Sequence, residues 1–308
     1  QNYKQKIVHF KKRSERFMKI AINREYLTGY LFISPTTVAL LLLVIYPIVY
    51  GIVISVFNTN LINKWDFVGF KYFIDTLFSG RFHQSLAATF HFTFFTVIGN
   101  FIVGVTLAVI LNKNLPFSTF FKTVLIVPWL FPEVVVGLLW KWMFNSIYGI
   151  INHFLSSVNI IDQPVTWLGN PDTAPWAIVI TAIWKGYPIV MIFVLAGLQT
   201  IPRELYEAAN LDGASKIQTF FFITIPMIKP ILLVTLVLET VWWLKHFTLI
   251  WLLTQGGPVN ATNVVSISIF RSAFESFRFG QASATAVLVF FICIFISKLY
   301  KTLISENE

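Results

Sequence analysis

Charge is expensive to bury in hydrocarbon, so ionisable side chains inside long apolar stretches are the first candidates for function. Six stand out in this sequence: Glu133, Lys141, Lys185, Glu239, Lys245 and His246. Carboxylates at such places suit ion coupling, and a cation beside an aromatic ring suits an anionic ligand. Trp129, Trp140, Trp142, Trp184, Tyr187, Trp242, Trp243 and Trp251 lie in or beside the same stretches. Their faces can stack on sugar rings, although interfacial belts and core packing use the same residue types. Lys185, Tyr187, Trp242, Trp243, Lys245 and His246 are the candidate ligand-facing set. If the chain is helical there, residues 242, 245, 246 and 249 share a face, and Trp242 offers a ring platform beside Lys245. The alternative is that Lys245 pairs with Glu239, or Lys185 with Glu133, to hold helices together.

Other chemistry is missing. The sequence contains no G-x-x-x-x-G-K-[ST] loop for nucleotide phosphates and no H-E-x-x-H metal site. His9, His83, His91, His153 and His246 are scattered, and Cys293 is the single cysteine, so neither a metal centre nor a disulfide framework is expected. The Asn260-Ala261-Thr262 sequon is a match at chance level. The pattern points to conduction rather than catalysis, with no cofactor bound by this chain.

The elements that carry these residues follow from composition. The chain has 308 residues, 56% hydrophobic and only 12% charged, with 32 Phe and 10 Trp. A soluble domain carries roughly 25% charged residues, so much of this surface must meet lipid or a large interior. About six stretches reach the length of roughly 20 helical residues needed to cross a bilayer: 28–57, 85–111, 119–143, 174–199, 227–253 and 282–304. Pro128, Pro132 and Pro188 are expected to break helices in mid-span, against protein or a water-filled path. The expected fold is an all-α, multi-pass integral membrane protein.

Lys and Arg set the orientation. The first segment holds Lys4, Lys6, Lys11, Lys12, Arg13, Arg16, Lys19 and Arg24; the loops on its side add Lys113, Lys122, Arg203, Lys216 and Lys229, then Lys298 and Lys301. The other side holds Lys64, Lys71, Arg81, Arg271 and Arg278. The asymmetry predicts that both termini are cytoplasmic. It also accounts for the net charge of +9 without nucleic acid. Residues 1–27 form a basic segment in which Ile7, Phe10, Ser14, Phe17 and Ala21 share a helical stripe; it reads either as an amphipathic helix on the inner leaflet or as a solvated tail. The first span is too long for the apolar core of a signal peptide and reads as a retained anchor. The spanning domain is 28–304, with 305–308 as a tail.

The most informative stretch is the cytoplasmic loop 200–226. Pro202 suits a helix start, Glu204 and Glu207 suit the first turn, and Leu205, Ala208 and Ala209 form a small apolar face. Asp212-Gly213 reads as a stop, a second short helix begins near Ala214, and Pro226 is expected to close it before the fifth span. Such a helix–turn–helix is too short to be stable alone and must be held by the spans.

This loop resembles the EAA loop of ABC importer permeases. Glu207-Ala208-Ala209, Gly213, Ile223 and Ile225-Pro226 fall at the family's spacing, with Ile225 where Leu is usual. Three further segments resemble the carbohydrate-uptake branch: Ala196 to Pro202, Ile250 to Pro258, and Arg271 to Glu275 with Phe279 to Ala284. The likeness covers roughly residues 28–300 in motif order and leaves the basic start outside it. The resemblance implies the type I ABC importer permease fold in a bacterial inner membrane. Loop 200–226 would then couple to a cytoplasmic ATPase through Glu204, Glu207, Ala208, Ala209, Asp212, Gly213 and Ala214. It also implies a second homologous permease subunit, an ATPase dimer holding ATP and Mg, an extracytoplasmic substrate-binding protein and a saccharide substrate. Positive charge at Lys245, where relatives often carry Asn or an acid, adds the expectation of an acidic saccharide such as an oligouronate. Two other readings are an ion-coupled secondary sugar transporter using Glu133 and Glu239, and a structural membrane protein.

Overall fold

The computed structural model describes residues 26–113 and 116–305, so residues 1–25 of the predicted basic segment and 306–308 of the tail lie outside it. The chain divides into two units, Gln1–Ile54 and Ser55–Glu308. The described part of the first is one helix, α1 (Tyr26–Ile54), which contains a π turn at Leu41–Ile45. Ser34 and Thr37 do not interrupt it, since their hydroxyls donate to the Leu31 and Ile33 carbonyls one turn back, and at 29 residues it is about 43 Å long, ample for a bilayer.

The second unit opens with a small antiparallel hairpin, β1 (Phe57–Thr59) and β2 (Trp65–Phe67), followed by the short α2 (Lys71–Leu77). Then come α3 (Gly80–Leu111), α4 (Ser118–Leu130), α5 (Glu133–Met143) and α6 (Ile150–Ser157). The rest is α7 (Ala174–Leu198), α8 (Arg203–Leu211), α9 (Lys216–Leu244), α10 (Thr248–Thr254), α11 (Val265–Phe270) and α12 (Phe279–Ser305). Among the described residues five helices are long and apolar enough to span a membrane, and the count is six if α4 and α5, which pass the test together across a bend, are taken as one span.

The core is built on α3 and α7, which run parallel. Gly104 lets them approach: a Cβ there would stand 2.7 Å from the Val190 side chain and 3.0 Å from the Met191 backbone. Two apolar clusters follow along the pair. One gathers Phe92 and Val97 with Ala177, Ile178 and Ala182, roofed by Leu249, Ile250 and Val264. The other gathers Ala108 and Leu111 with Val190, Val194 and Leu198, closed by Ile201 and Ile228. Loop 200–226 therefore sits at the end where Leu111 and Leu198 finish, and the N-terminal turn of α3 sits at the opposite end. From Ser85 to Leu111 is roughly 39 Å of helix.

Three expectations need correction. First, only one proline breaks a span. Between α4 and α5 the axis turns by 93°; Phe131, which precedes Pro132, is extended with ψ 137°, as the following ring requires. Pro128 stays inside α4 and Pro188 inside a continuous α7, since a proline flanked by packed helices costs one backbone bond without ending the helix. Second, Pro226 does not close a separate loop helix. The segment from Lys216 continues into the fifth span as one helix, because a π turn at Phe220–Thr224 widens the backbone just where the proline ring needs room. Third, the fifth span ends early: α9 stops at Leu244, Lys245 is its C-cap, and α10 restarts at Thr248. The predicted common helical face of residues 242, 245, 246 and 249 is therefore not formed.

Candidate functional site

Loop 200–226 builds a surface helix by local rules. Pro202 caps α8 and Glu204 lies in its first turn, beside the exposed N–H groups. Glu207 falls one turn later, so the expectation that it serves the first turn is corrected. At the other end, Asp212 is the C-cap and Gly213 takes a left-handed φ of +78°. Gly213 N–H donates to the Asn210 carbonyl at 3.2 Å and Ala214 N–H to the Ala209 carbonyl at 2.9 Å, the paired bonds of a Schellman stop. Ser215 then caps α9 reciprocally with Gln218: Ser215 N–H donates to Oε1 at 2.8 Å, and Gln218 N–H to Ser215 Oγ at 3.3 Å.

The helix is tied to the bundle by one face only. Ala209 is buried, Tyr206 packs against the Leu198–Ile201 cluster, and its hydroxyl lies 3.2 Å from Thr224 Oγ1. Glu204, Leu205, Glu207 and Ala208 point away and are exposed. The small side chain of Ala209 thus serves contact with the chain's own spans, while that of Ala208 is free. Asp212, Gly213, Ala214 and Gln218 line a shallow cavity of about 330 Å³. Exposed Leu211 and Ile217 flank it; sequence reasoning passed over them, although two large apolar residues in a polar surface loop are themselves a signal of a partner.

The intramembrane set is arranged differently from expectation. Lys185 is buried and its ammonium does not pair with Glu133. It donates to the backbone carbonyls of Pro128 (3.3 Å), Trp129 (2.6 Å) and Phe131 (2.7 Å). A cation there satisfies the carbonyls left open where α4 stops and complements the negative end of its dipole. Glu239 does not pair with Lys245 either. Its Oε2 accepts from Asn100 Nδ2 at 2.7 Å and from Trp243 Nε1 at 2.8 Å, which joins α3 to α9 through a buried network that sequence periodicity gave no way to find. Glu133 Oε2 instead lies 3.9 Å from His246 Nε2.

Of the six candidate residues, Trp243 and His246 come together: their rings are 4.7 Å apart, and Phe92 meets them at 5.8 and 6.3 Å. Trp242 is exposed with Lys245 Nζ 5.9 Å from its ring centroid, so the platform-beside-a-cation arrangement exists, made by the cap rather than by a helix face. Tyr187 is buried in α7. Phe92, Trp243 and His246 are buried against one another, so they pack the interior, and of the six candidates only Trp242 and Lys245 are exposed to a ligand. Among the described residues no His, Cys, Asp and Glu cluster is suited to a metal.

Residues 100–306 match the family described as binding-protein-dependent transport system inner membrane component. A permease protein of a trehalose/maltose transport system from Thermococcus litoralis is 36% identical over 278 residues, covering 90% of this chain and 93% of that protein. A permease protein of a sulfoquinovosyl glycerol transport system from Agrobacterium fabrum is 33% identical over 286 residues, covering 92% of each. The crystal structure of a bacterial ABC transporter involved in import of the acidic polysaccharide alginate shares the fold, with a TM-score of 0.79, 24% identity and coverage of 92% of this chain and 96% of that one. Both sequence relatives are named as permease proteins of transport systems. With five or six apolar spans and a match over most of its length, the chain belongs to the binding-protein-dependent transport system inner membrane component family, the multi-pass permease subunits of ABC transporters.

Proposed function

We propose that this chain forms half of the translocation pathway of an ATP-driven, binding-protein-dependent importer of saccharides, and that α8 is its coupling helix. The observation that carries the coupling role is the outward display of Glu204, Glu207 and Ala208 on a helix fixed to the spans through Tyr206 and Ala209. A short helix held on one face and acidic on the other is suited to a cleft with a basic rim. Ala208 allows close approach, and exposed Leu211 and Ile217 add apolar contact. The occupant is a cytoplasmic ATPase dimer, which holds ATP and Mg. A second homologous permease completes the pore, and an extracytoplasmic binding protein delivers the substrate. Both termini are cytoplasmic, in keeping with the Lys and Arg asymmetry. Saccharide as the cargo class rests on the two relatives named for trehalose/maltose and for sulfoquinovosyl glycerol. An oligosaccharide is preferred because trehalose and maltose, for which one of those relatives is named, are each built of two sugar units.

Glu207→Lys tests the coupling role. Reconstituted transporter carrying it should insert and hydrolyse ATP yet lose sugar uptake, because like charges would meet at the cleft rim. Normal uptake would remove α8 from the coupling role.

A further inference from the structure

We propose that the end of the bundle opposite α8 carries a two-part entry site for a negatively charged oligosaccharide, with Arg81 and Arg278 as its charge-reading part and His91 with Trp176 as its ring-stacking part. The inference rests on the saccharide-import reading and adds where, and by what chemistry, an acidic sugar is selected. Sequence reasoning placed the selecting charge on Lys245 and set Lys185 among the ligand-facing candidates. The Lys185 ammonium is engaged by three backbone carbonyls, so it is not available to a ligand.

A cavity of about 570 Å³ opens between the first turns of α3 and the segment around α11. Its wall holds three guanidinium groups, from Arg81, Arg271 and Arg278, together with hydroxyl and amide side chains, and no carboxylate. Its floor is cross-linked: Ser85 Oγ and Ser268 Oγ are 2.8 Å apart, and Asn263 Nδ2 donates to Ser268 Oγ at 3.1 Å and to Ser85 Oγ at 3.4 Å. Arg271 is part of the frame, since its Nη2 donates to the Gln255 carbonyl at 2.8 Å and its Nε lies 3.8 Å from Glu275 Oε2. Arg81 and Arg278 are exposed and make no ion pair among the described residues. An adjoining cavity of about 370 Å³ shares Ser276, Arg278 and Gln281 and adds Lys64 and Tyr72, again without a carboxylate. Burial raises the Tyr72 phenol above its usual range; the Arg278 guanidinium pulls it down, and the Asp75 and Asp66 carboxylates, which do not line the cavity, add to the rise.

The stacking part is continuous with the charged part. A second cavity, about 580 Å³, shares Gln84 and Asn260 with the first and is lined by His91, Phe92 and Trp176, with one carboxylate, Asp172, so it is suited to the ring faces and hydroxyls of a sugar and the charge is read in the first cavity. The His91 and Trp176 rings meet edge-to-face at 4.9 Å, and 44% of the Trp176 surface is exposed. Phe92 lines this cavity and also touches Trp243 and His246. The arginine-bearing cavity and the stacking cavity thus adjoin through Gln84 and Asn260, and the buried Phe92, Trp243 and His246 form packed wall behind them.

The chemistry selects the ligand. Each cavity has the volume of a small-molecule site, and each is concave, unlike a protein-docking face. Unpaired guanidinium groups recognise carboxylate or sulfonate geometry. The hydroxyls and amides beside them suit sugar hydroxyls, and rings suit the apolar faces of pyranoses. The arginine-bearing cavity, lined by one sign of charge, also concentrates anions at its mouth.

The test uses the intact transporter in lipid nanodiscs, with trigalacturonate and maltotriose as probes. Wild type should bind trigalacturonate in preference to maltotriose. Arg81→Gln with Arg278→Gln should weaken trigalacturonate binding roughly tenfold or more while leaving maltotriose binding unchanged. Trp176→Ala should weaken both. Equal binding of the two probes by wild type, or a preference that survives the double substitution, overturns the inference. So does a double variant that fails only to dock the binding protein, which would make the arginines a protein-docking surface. Saccharide uptake in proteoliposomes is scored separately. Neutral uptake with no charge preference keeps the import reading and discards the entry site; absence of any saccharide uptake discards the import reading.

Discussion

Two helix ends in this molecule face the same problem and solve it in opposite ways. Where α8 stops, open carbonyls are met within a few residues: Gly213 turns left-handed, and the Gly213 and Ala214 N–H groups close the end. Where α4 stops, the carbonyls of Pro128, Trp129 and Phe131 are met by Lys185, 54 to 57 residues away in the chain. The difference follows the solvent. The loop helix lies at the surface, and a local stop leaves its outer face free to be displayed. Inside the membrane no water satisfies a broken backbone, so the break is tolerable only where another span supplies donors. A surface stop can therefore be read from adjacent residues, and a mid-membrane break cannot.

Four substitutions probe that contrast. Gly213→Pro should have the largest effect. Proline fixes φ near −65° where the chain needs +78°, so the stop cannot form. Uptake should be lost while the amount of protein in the membrane fraction stays normal; a fully active variant would mean that the turn has no part in coupling. Lys185→Met should come next, since it strips the donor from three buried carbonyls. The expected cost is about 2–3 kcal/mol, read as a lower unfolding midpoint in detergent, with Lys185→Arg closer to wild type. A Lys185→Met protein as stable as wild type would show that the break does not depend on its distant donor.

Gly213→Ala sharpens the first test. Nothing lies within 4 Å of the added Cβ, so the only cost is conformational, about 1–2 kcal/mol. Uptake should fall partially, and a loss as complete as that with proline would point to steric exclusion by a partner in place of backbone strain. The smallest effect is expected from Ser215→Ala, which removes the side-chain half of the cap on α9 at a cost of about 0.5–1 kcal/mol. Faster amide exchange over residues 216–219 should report it, with uptake nearly unchanged.

The sequence by itself determined a good deal. Apolar length alone marks the spans, since roughly 20 apolar residues serve no other purpose in an ordinary chain. The spacing from Glu207 through Gly213 determined the loop helix and its stop, because caps and turns act over three to six residues. Tertiary structure decided the rest. Pro128, Pro132 and Pro188 look alike in sequence, yet only Pro132 ends a helix, where a lysine from another span is placed to satisfy the exposed carbonyls. Lys245 and His246 read as mid-helix residues until α9 ends at Leu244. Glu239 reads as a candidate ion-coupling group until Asn100 and Trp243 are found on it. Arg81 and Arg278 lie 197 positions apart and count in the sequence only as outer-side charges; the packing of α11 on α3 and of α12 on α2 brings them to one cavity. A continuously apolar helix has no polar face to reveal its neighbours, so which polar groups meet inside the membrane is set by packing between spans and leaves no periodic trace along any one of them.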